Sequence, residues 1–182
     1  MLLSYPELVK LVEQGVLTNV DPEFINAASI DITLGDAILM EEDCRDVFNH
    51  CPVLELAARQ PMNTRRVDCT NGFKLLPGQF ILAQSREVFN LPNDISAEYK
   101  LKSSMARIGI NHCLAGWCDA GWNGSVLTLE LMNVSRHHAI KLQAGDKIGQ
   151  MVFFRHAPVP ADRSYAARGR YNNDTTVKGM KA

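Results

Sequence analysis

Two groups of residues between Leu101 and Asn133 have types and spacing suited to chemistry on an anionic ligand. In Lys102-Ser103-Ser104-Met105-Ala106-Arg107, two hydroxyls stand where they can cap a short helical turn, with a cation on each side. Free backbone N–H groups at the start of a helix, flanked by positive charge, attract phosphate oxygens, so the stretch reads as an anion cradle. The second group starts at Asp119, passes a turn at Ala120-Gly121-Trp122-Asn123-Gly124 and enters a strand. There Leu127, Leu129 and Leu131 share one face, and Val126, Thr128, Glu130 and Met132 share the other. A carboxylate on a face of Val, Thr and Met is either paired or poised to act as a base, which singles out Glu130.

Composition narrows the classes. A chain of 182 residues fits one domain, residues 1–182, and buries enough apolar surface to fold without staples. The net charge of -1 leaves no basic footprint for nucleic acid, so no nucleic-acid partner is expected. No apolar run approaches the ~20 residues of a membrane span, and the early apolar stretch, which contains Glu7 and Glu13, reads as an amphipathic helix rather than a signal peptide. A cytoplasmic protein without a membrane partner is the expectation. Five cysteines at 44, 51, 69, 113 and 118, an odd set without a CxxC pair, point to reduced thiols. Cys113 and Cys118 near His112 invite a zinc reading, but the H-x-E and P-C-x-x-C halves of the zinc deaminases are both missing, so no zinc is expected. His137-His138 beside Arg136 reads as solvated surface.

The elements that must position these groups are mostly short strands. Ser4-Tyr5-Pro6-Glu7 is a capping box for a helix that buries Leu8, Val9, Leu11 and Val12 and stops at Gly15. Ile30, Ile32 and Leu34 alternate with Asp31 and Thr33, which predicts a half-buried strand ended by Gly35, with Asp31 satisfied by nearby backbone. Residues 41–71 read as a loop or insertion. Phe73-Leu76 and Phe80-Ala83 flank Pro77-Gly78 as a hairpin. Ile140 and Leu142, the turn at Ala144-Gly145-Asp146, and Ile148 to Phe154 read as a closing hairpin. The class expected is mainly all-β, a barrel or sandwich, with the N-terminal helix and a short helix near 103–108. The segment 158–182 interleaves Arg163, Arg168, Arg170, Lys178 and Lys181 with Tyr165 and Tyr171. It reads as a flexible C-terminal arm, either free or ordered over a polyphosphate.

These residues carry a resemblance. S-S-x-A-R-x-G from Ser103, A-G-W-x-D-A-G-W-x-G from Ala115 and T-L-E-L-x-N from Thr128 resemble the dCTP deaminase branch of the trimeric dUTPase superfamily. Ala28 to Gly35, Leu76 to Ala83 and Gly145 to Gln150 extend the likeness over nearly the whole chain. The resemblance implies a distorted jelly-roll subunit, a homotrimer with sites between subunits, and zinc-independent hydrolysis of dCTP to dUTP and ammonia in dUMP supply. It assigns Glu130 as the proton-shuttling base and Asp119 to the deoxyribose 3′-hydroxyl, with a second role toward a water aimed at phosphorus in bifunctional members. It gives the triphosphate to Lys102, Ser103, Ser104 and Arg107, with Gln150, Tyr165 and Arg170 closing. Ala115, Trp117, Thr128 and Asp174 complete the substrate-facing set, and Mg2+ is expected on the phosphates rather than on protein ligands.

Three departures stand against the family pattern. Lys102 replaces an arginine, turning a bidentate fork into a point charge. The interval from Asp119 to Glu130 is one residue longer, which reverses strand parity unless a bulge at Gly124-Ser125 absorbs it. Asp174 replaces a glutamine near the phosphates. Left open are a deaminase that stops at dUTP, one that continues to dUMP and pyrophosphate (the outcome that Gly116, in the A-G-W-x-D turn, favours), a plain dUTPase or related pyrophosphatase, and a catalytically silent nucleotide-binding homologue.

Overall fold

The computed structural model describes residues 1–181. Helix α1 (Tyr5–Glu13) starts where Ser4 N–H donates to Glu7 Oε2 at 3.0 Å and ends before Gly15, whose φ of 73° suits glycine. It buries Leu8 and Leu11. The strands follow as β1 (Leu17–Thr18), β2 (Ile30–Glu41), β3 (Thr64–Asp68), β4 (Phe73–Leu75), β5 (Phe80–Asn90) and β6 (Ile95–Leu101). After the short helix α2 (Ser103–Arg107) come β7 (Ile110–Asn111), β8 (Trp117–Cys118), β9 (Asn123–Asn133), β10 (Ile140–Leu142) and β11 (Lys147–Arg155). A last turn of helix, α3, spans Tyr165–Arg168. Among the described residues no helix is long and apolar enough to cross a membrane.

The fold is mainly β, as expected. One antiparallel sheet runs β7-β9-β5-β2-β11-β6-β8, with β1 added to β5 and β3 added to β2. It curls because β2 changes partners midway. Its first half pairs with β11, Asp31 opposite Gln150, and its second half with β5 and β3, Leu39 opposite Leu82 and Arg66. Gly35 lies at this corner, where a Cβ would come within 2.7 Å of Gln84 Cγ. Ile32, Leu34, Ile81, Leu129, Leu131 and Phe153 meet inside the curl.

Several sequence expectations change here. β2 does not end at Gly35, and it is not half-buried: Asp31 and Thr33 are 4% and 1% exposed, because the curl covers both faces. Asp31 is satisfied by side chains rather than backbone, accepting from Asn26 Nδ2 at 2.9 Å and Lys102 Nζ at 2.6 Å. Within 41–71, residues 64–68 form β3 on the edge of β2. Neither expected hairpin forms. β4 pairs with β10, while β5 pairs with β2 and β9 and β11 with β2 and β6. Turn residues reverse the chain, but distant strands with better apolar faces supply the partners.

Candidate active site

Strand β9 carries the central carboxylate. It pairs with β5 from Phe80 opposite Met132 to Gln84 opposite Thr128, so Glu130 lies opposite Leu82. Leu127, Leu129 and Leu131 face the core, and the alternate residues Thr128 and Glu130 line a cavity of about 630 Å³. Burial pushes the Glu130 carboxyl above the ordinary glutamate range, and among the described residues no cation offsets it. The bulge expected at Gly124-Ser125 is present: Ser125 faces Phe89 and Asn123 faces Asn90, which leaves Gly124 without a partner at φ 65°. The extra residue is thereby absorbed, and Glu130 keeps its direction into the cavity.

The side wall is the turn ahead of β9. Trp117 donates its indole N–H to Asp119 Oδ1 at 2.8 Å, which fixes an otherwise exposed carboxylate at the cavity edge beside Ala115. Gly116 is required by packing, since a Cβ there would sit 2.6 Å from the Tyr99 carbonyl and Tyr99 N–H already donates to Gly116 O at 2.7 Å.

The C-terminal segment closes another side. Instead of standing free, it is fastened to its own subunit. Trp122 Nε1 donates to Tyr171 O at 2.7 Å, and Val126 N–H donates to Asp174 O at 2.9 Å. Val177 N–H donates to Gln84 Oε1 at 2.9 Å, and the Val177 side chain is 2% exposed. Residue 182 lies outside the described residues. Tyr165, Tyr171, Asp174 and Lys178 reach the cavity from this segment, and Leu54, Leu56, Gln60 and Met62 cover it from the chain between β2 and β3.

The structure thus brings Ala115, Trp117, Asp119, Thr128, Glu130, Tyr165 and Asp174 around one cavity. Lys102, Ser103, Ser104, Arg107 and Gln150 form a separate group on the same subunit, outside that lining. Gln150 lies opposite both Asp31 and Lys100 in the sheet, and Lys102 is held by Asp31. Ser103 and Ser104 do not cap α2: Lys102 occupies the N-cap position without a side-chain cap, and Ser103 Oγ accepts from Arg107 Nε at 3.3 Å. Arg170 is exposed, with its carbonyl accepting from Lys181 Nζ at 2.6 Å. Sequence reasoning missed Trp122, Tyr171 and Lys178 as cavity residues, although each lay within a stretch already noted for its composition. Nothing in the irregular pattern of 42–63 signalled a covering role.

A mainly β curl with a pocket floored by the β9 carboxylate Glu130 is the class that fold and site define, and comparison with known proteins narrows it. The 2′-deoxycytidine 5′-triphosphate deaminase from Agrobacterium tumefaciens shares the fold with a TM-score of 0.64 at 23% identity, over 85% of this chain and 48% of that one. The family model described as dCTP deaminase-like matches residues 2–156. A protein of Thermobifida fusca named "dCTP deaminase, dUMP-forming" is 39% identical over 173 residues, 92% of this chain and 84% of its own. One of the same name from Acidothermus cellulolyticus is also 39% identical, over 92% and 86%. The chain belongs to the dCTP deaminase-like family.

Proposed function

We propose that this protein hydrolyses dCTP to dUMP, ammonia and pyrophosphate in the cytoplasm, supplying dUMP for thymidylate synthesis. The observation that carries the reading is Glu130, a half-buried carboxylate with a raised pKa and no offsetting cation on the floor of a nucleoside-sized cavity. The dUMP-forming relatives support it.

In the first step a water oxygen bonds to cytosine C4 while its proton passes to Glu130. The same carboxyl hands that proton to ring N3, then carries the remaining proton of the new C4 hydroxyl to the amino nitrogen as the C4–O bond becomes a carbonyl. The C4–N bond then breaks and ammonia leaves, giving dUTP. A carboxyl whose pKa is raised toward neutrality serves both directions of this traffic better than an ordinary one. In the second step a water oriented by Asp119 attacks the α-phosphorus and pyrophosphate leaves. Magnesium, if it accompanies the triphosphate, would supply charge neutralisation there, and the carboxylate of Asp119 at the cavity edge is the side chain that would face its water.

Among the described residues, the cavity wall of one subunit holds Glu55, Asp119, Glu130 and Asp174 against one cation, Lys178, a poor setting for a triphosphate. The separate Lys102, Ser103, Ser104 and Arg107 group, with Gln150, is therefore read as the phosphate end supplied by a neighbouring copy in a homotrimer. Incubation of the protein with dCTP and magnesium, with products resolved by chromatography, tests the reading. Ammonia, dUMP and pyrophosphate are expected in equal amounts. Intact dCTP, or cleavage of dUTP without any deamination, would overturn it.

A further inference from the structure

Asp31 is a buried carboxylate that the chemistry described so far does not use. It lies near the start of β2, opposite Gln150 of β11, and Gln150 in turn lies opposite Lys100 of β6. Side chains from three other parts of the chain converge on it. Its Oδ1 accepts from Asn26 Nδ2 at 2.9 Å and from Lys102 Nζ at 2.6 Å, and Lys147 Nζ stands 3.6 Å from Oδ2. Lys147 is steadied in turn by the Phe24 ring, whose centroid is 3.9 Å from its Nζ. The Lys102 backbone is also tied down, its N–H donating to Ile148 O at 3.3 Å. The Asp31 side chain is 5% exposed and that of Lys102 27%, so the anion is enclosed while the ammonium beside it still opens to solvent, next to Ser103.

We infer that Asp31 is a positioning residue for the phosphate end of the site, holding the Lys102 ammonium in one place while Lys147 cancels the charge this anion would otherwise turn on the ligand. The inference rests on the proposed triphosphate substrate and on Lys102 as one of its contacts. An ammonium is a point charge on a flexible four-carbon stem, so a free lysine loses rotamer freedom when it meets a phosphate. Lys102 has lost that freedom on folding instead. Its bond to Asp31 uses one N–H and leaves two for phosphate oxygens. A lysine paired one to one with a carboxylate presents no net charge to an anion. With Lys147 the count is two cations to one anion, a net charge of +1, so the cluster still attracts phosphate. Repulsion between Asp31 and the ligand is further screened over a Debye length of about 8 Å, so positioning outweighs charge in deciding what removal of this carboxylate does.

The test measures binding of dCTP and of deoxycytidine by tryptophan fluorescence, since Trp117 and Trp122 both line the cavity. The parent is compared with Asp31→Asn, Lys102→Gln and the double variant. Asp31→Asn is expected to weaken dCTP by about fivefold to tenfold while leaving deoxycytidine within about twofold. In the Lys102→Gln background the same change is expected to cost nothing, because no ammonium is left to place. Lys147→Gln, at a side chain 43% exposed, is expected to weaken dCTP by about threefold and to flatten its dependence on salt. Tighter dCTP binding by Asp31→Asn, equal loss of dCTP and deoxycytidine, or an undiminished effect in the Lys102→Gln background would overturn the inference. So would Lys147→Gln binding dCTP as the parent does, a result that decides the matter even if Asp31→Asn fails to fold. Failure of the parent protein to turn over dCTP would instead count against the proposed function, because the binding comparison does not depend on turnover.

Discussion

Trp117 and Asp119 are joined by an indole N–H donated to a carboxylate oxygen at 2.8 Å, across a turn that Gly116 ties to β6. The carboxylate is exposed, so this single bond sets its direction. If Asp119 orients a water for attack on phosphorus, as proposed, Asp119→Asn removes the charge that does so and Trp117→Phe removes the bond that aims it. Each is expected to slow pyrophosphate release by ~10²-fold while deamination continues, so that dUTP accumulates. A time course of dUTP and pyrophosphate checks this. Equal slowing of ammonia and pyrophosphate release would mean that Asp119 serves binding alone. Gly116 adds no independent argument for phosphate cleavage, because the nearby Tyr99 carbonyl already requires a glycine there.

As the proposed base, Glu130 has to be ionised to accept a proton from water. Its pKa is raised by burial, so the acid limb of kcat/KM is expected above the ordinary glutamate value of 4.5, with activity lost as pH falls through that limb. Glu130→Gln keeps the shape but cannot take the proton, and should cost ~10²–10⁴ in deamination with dCTP binding largely retained. A pH profile whose acid limb sits at an unshifted carboxylate value would remove Glu130 from the role of base.

Glu87 provides a pH effect separate from catalysis. It is fully buried, and burial raises its pKa while the hydrogen bonds from Thr33 N–H and Thr33 Oγ1 oppose the shift. A folded-state pKa above the unfolded value gives stability that is present below about 4.5 and lost as pH rises through the folded value. Glu87→Gln has no proton to lose. The difference in melting temperature, variant minus parent, should therefore be more favourable at pH 8 than at pH 4, and a difference independent of pH would show that Glu87 is not held protonated by the fold.

The legible parts of this fold were those written locally. The capping box at Ser4 and Glu7 and the alternation along Leu127, Leu129 and Leu131 each depend on neighbours within one element, while the bulge at Gly124 was legible only against the length of the family pattern. What was misread depends on distant partners. Leu75 finds Ile140 rather than the strand after its own turn. Asp31 is buried beneath Asn26, Lys102 and Lys147, which reach its carboxylate from other elements, and an alternating pattern cannot reveal that. The C-terminal segment reads in sequence as either free or ordered, because its attachment to Gln84, Trp122 and Ser125 runs largely through hydrogen bonds and one valine, which leave no periodic apolar signal. The Glu130 cavity was visible in the spacing of the β9 turn, while its cover of Leu54, Leu56 and Met62 left no periodic trace.

The separation of Arg107 from the Glu130 cavity gives the most direct test of a site shared between copies. Arg107 is exposed on α2, and among the described residues its side chain hydrogen-bonds only to Ser103 Oγ, so Arg107→Ala should fold normally. If the phosphate end comes from a neighbouring subunit, Arg107→Ala and Glu130→Gln damage opposite halves of each site. Either homotrimer should then be nearly inactive. Trimers formed by co-expressing the two variants in equal amounts should regain roughly a quarter of parental activity, because a site works when its Glu130 and its Arg107, drawn from different copies, are both intact. Light scattering should report a trimer for each species. Mixed assemblies with no activity above either variant would place both residues in one subunit's site, and a monomer in the presence of dCTP and magnesium would remove the shared site altogether.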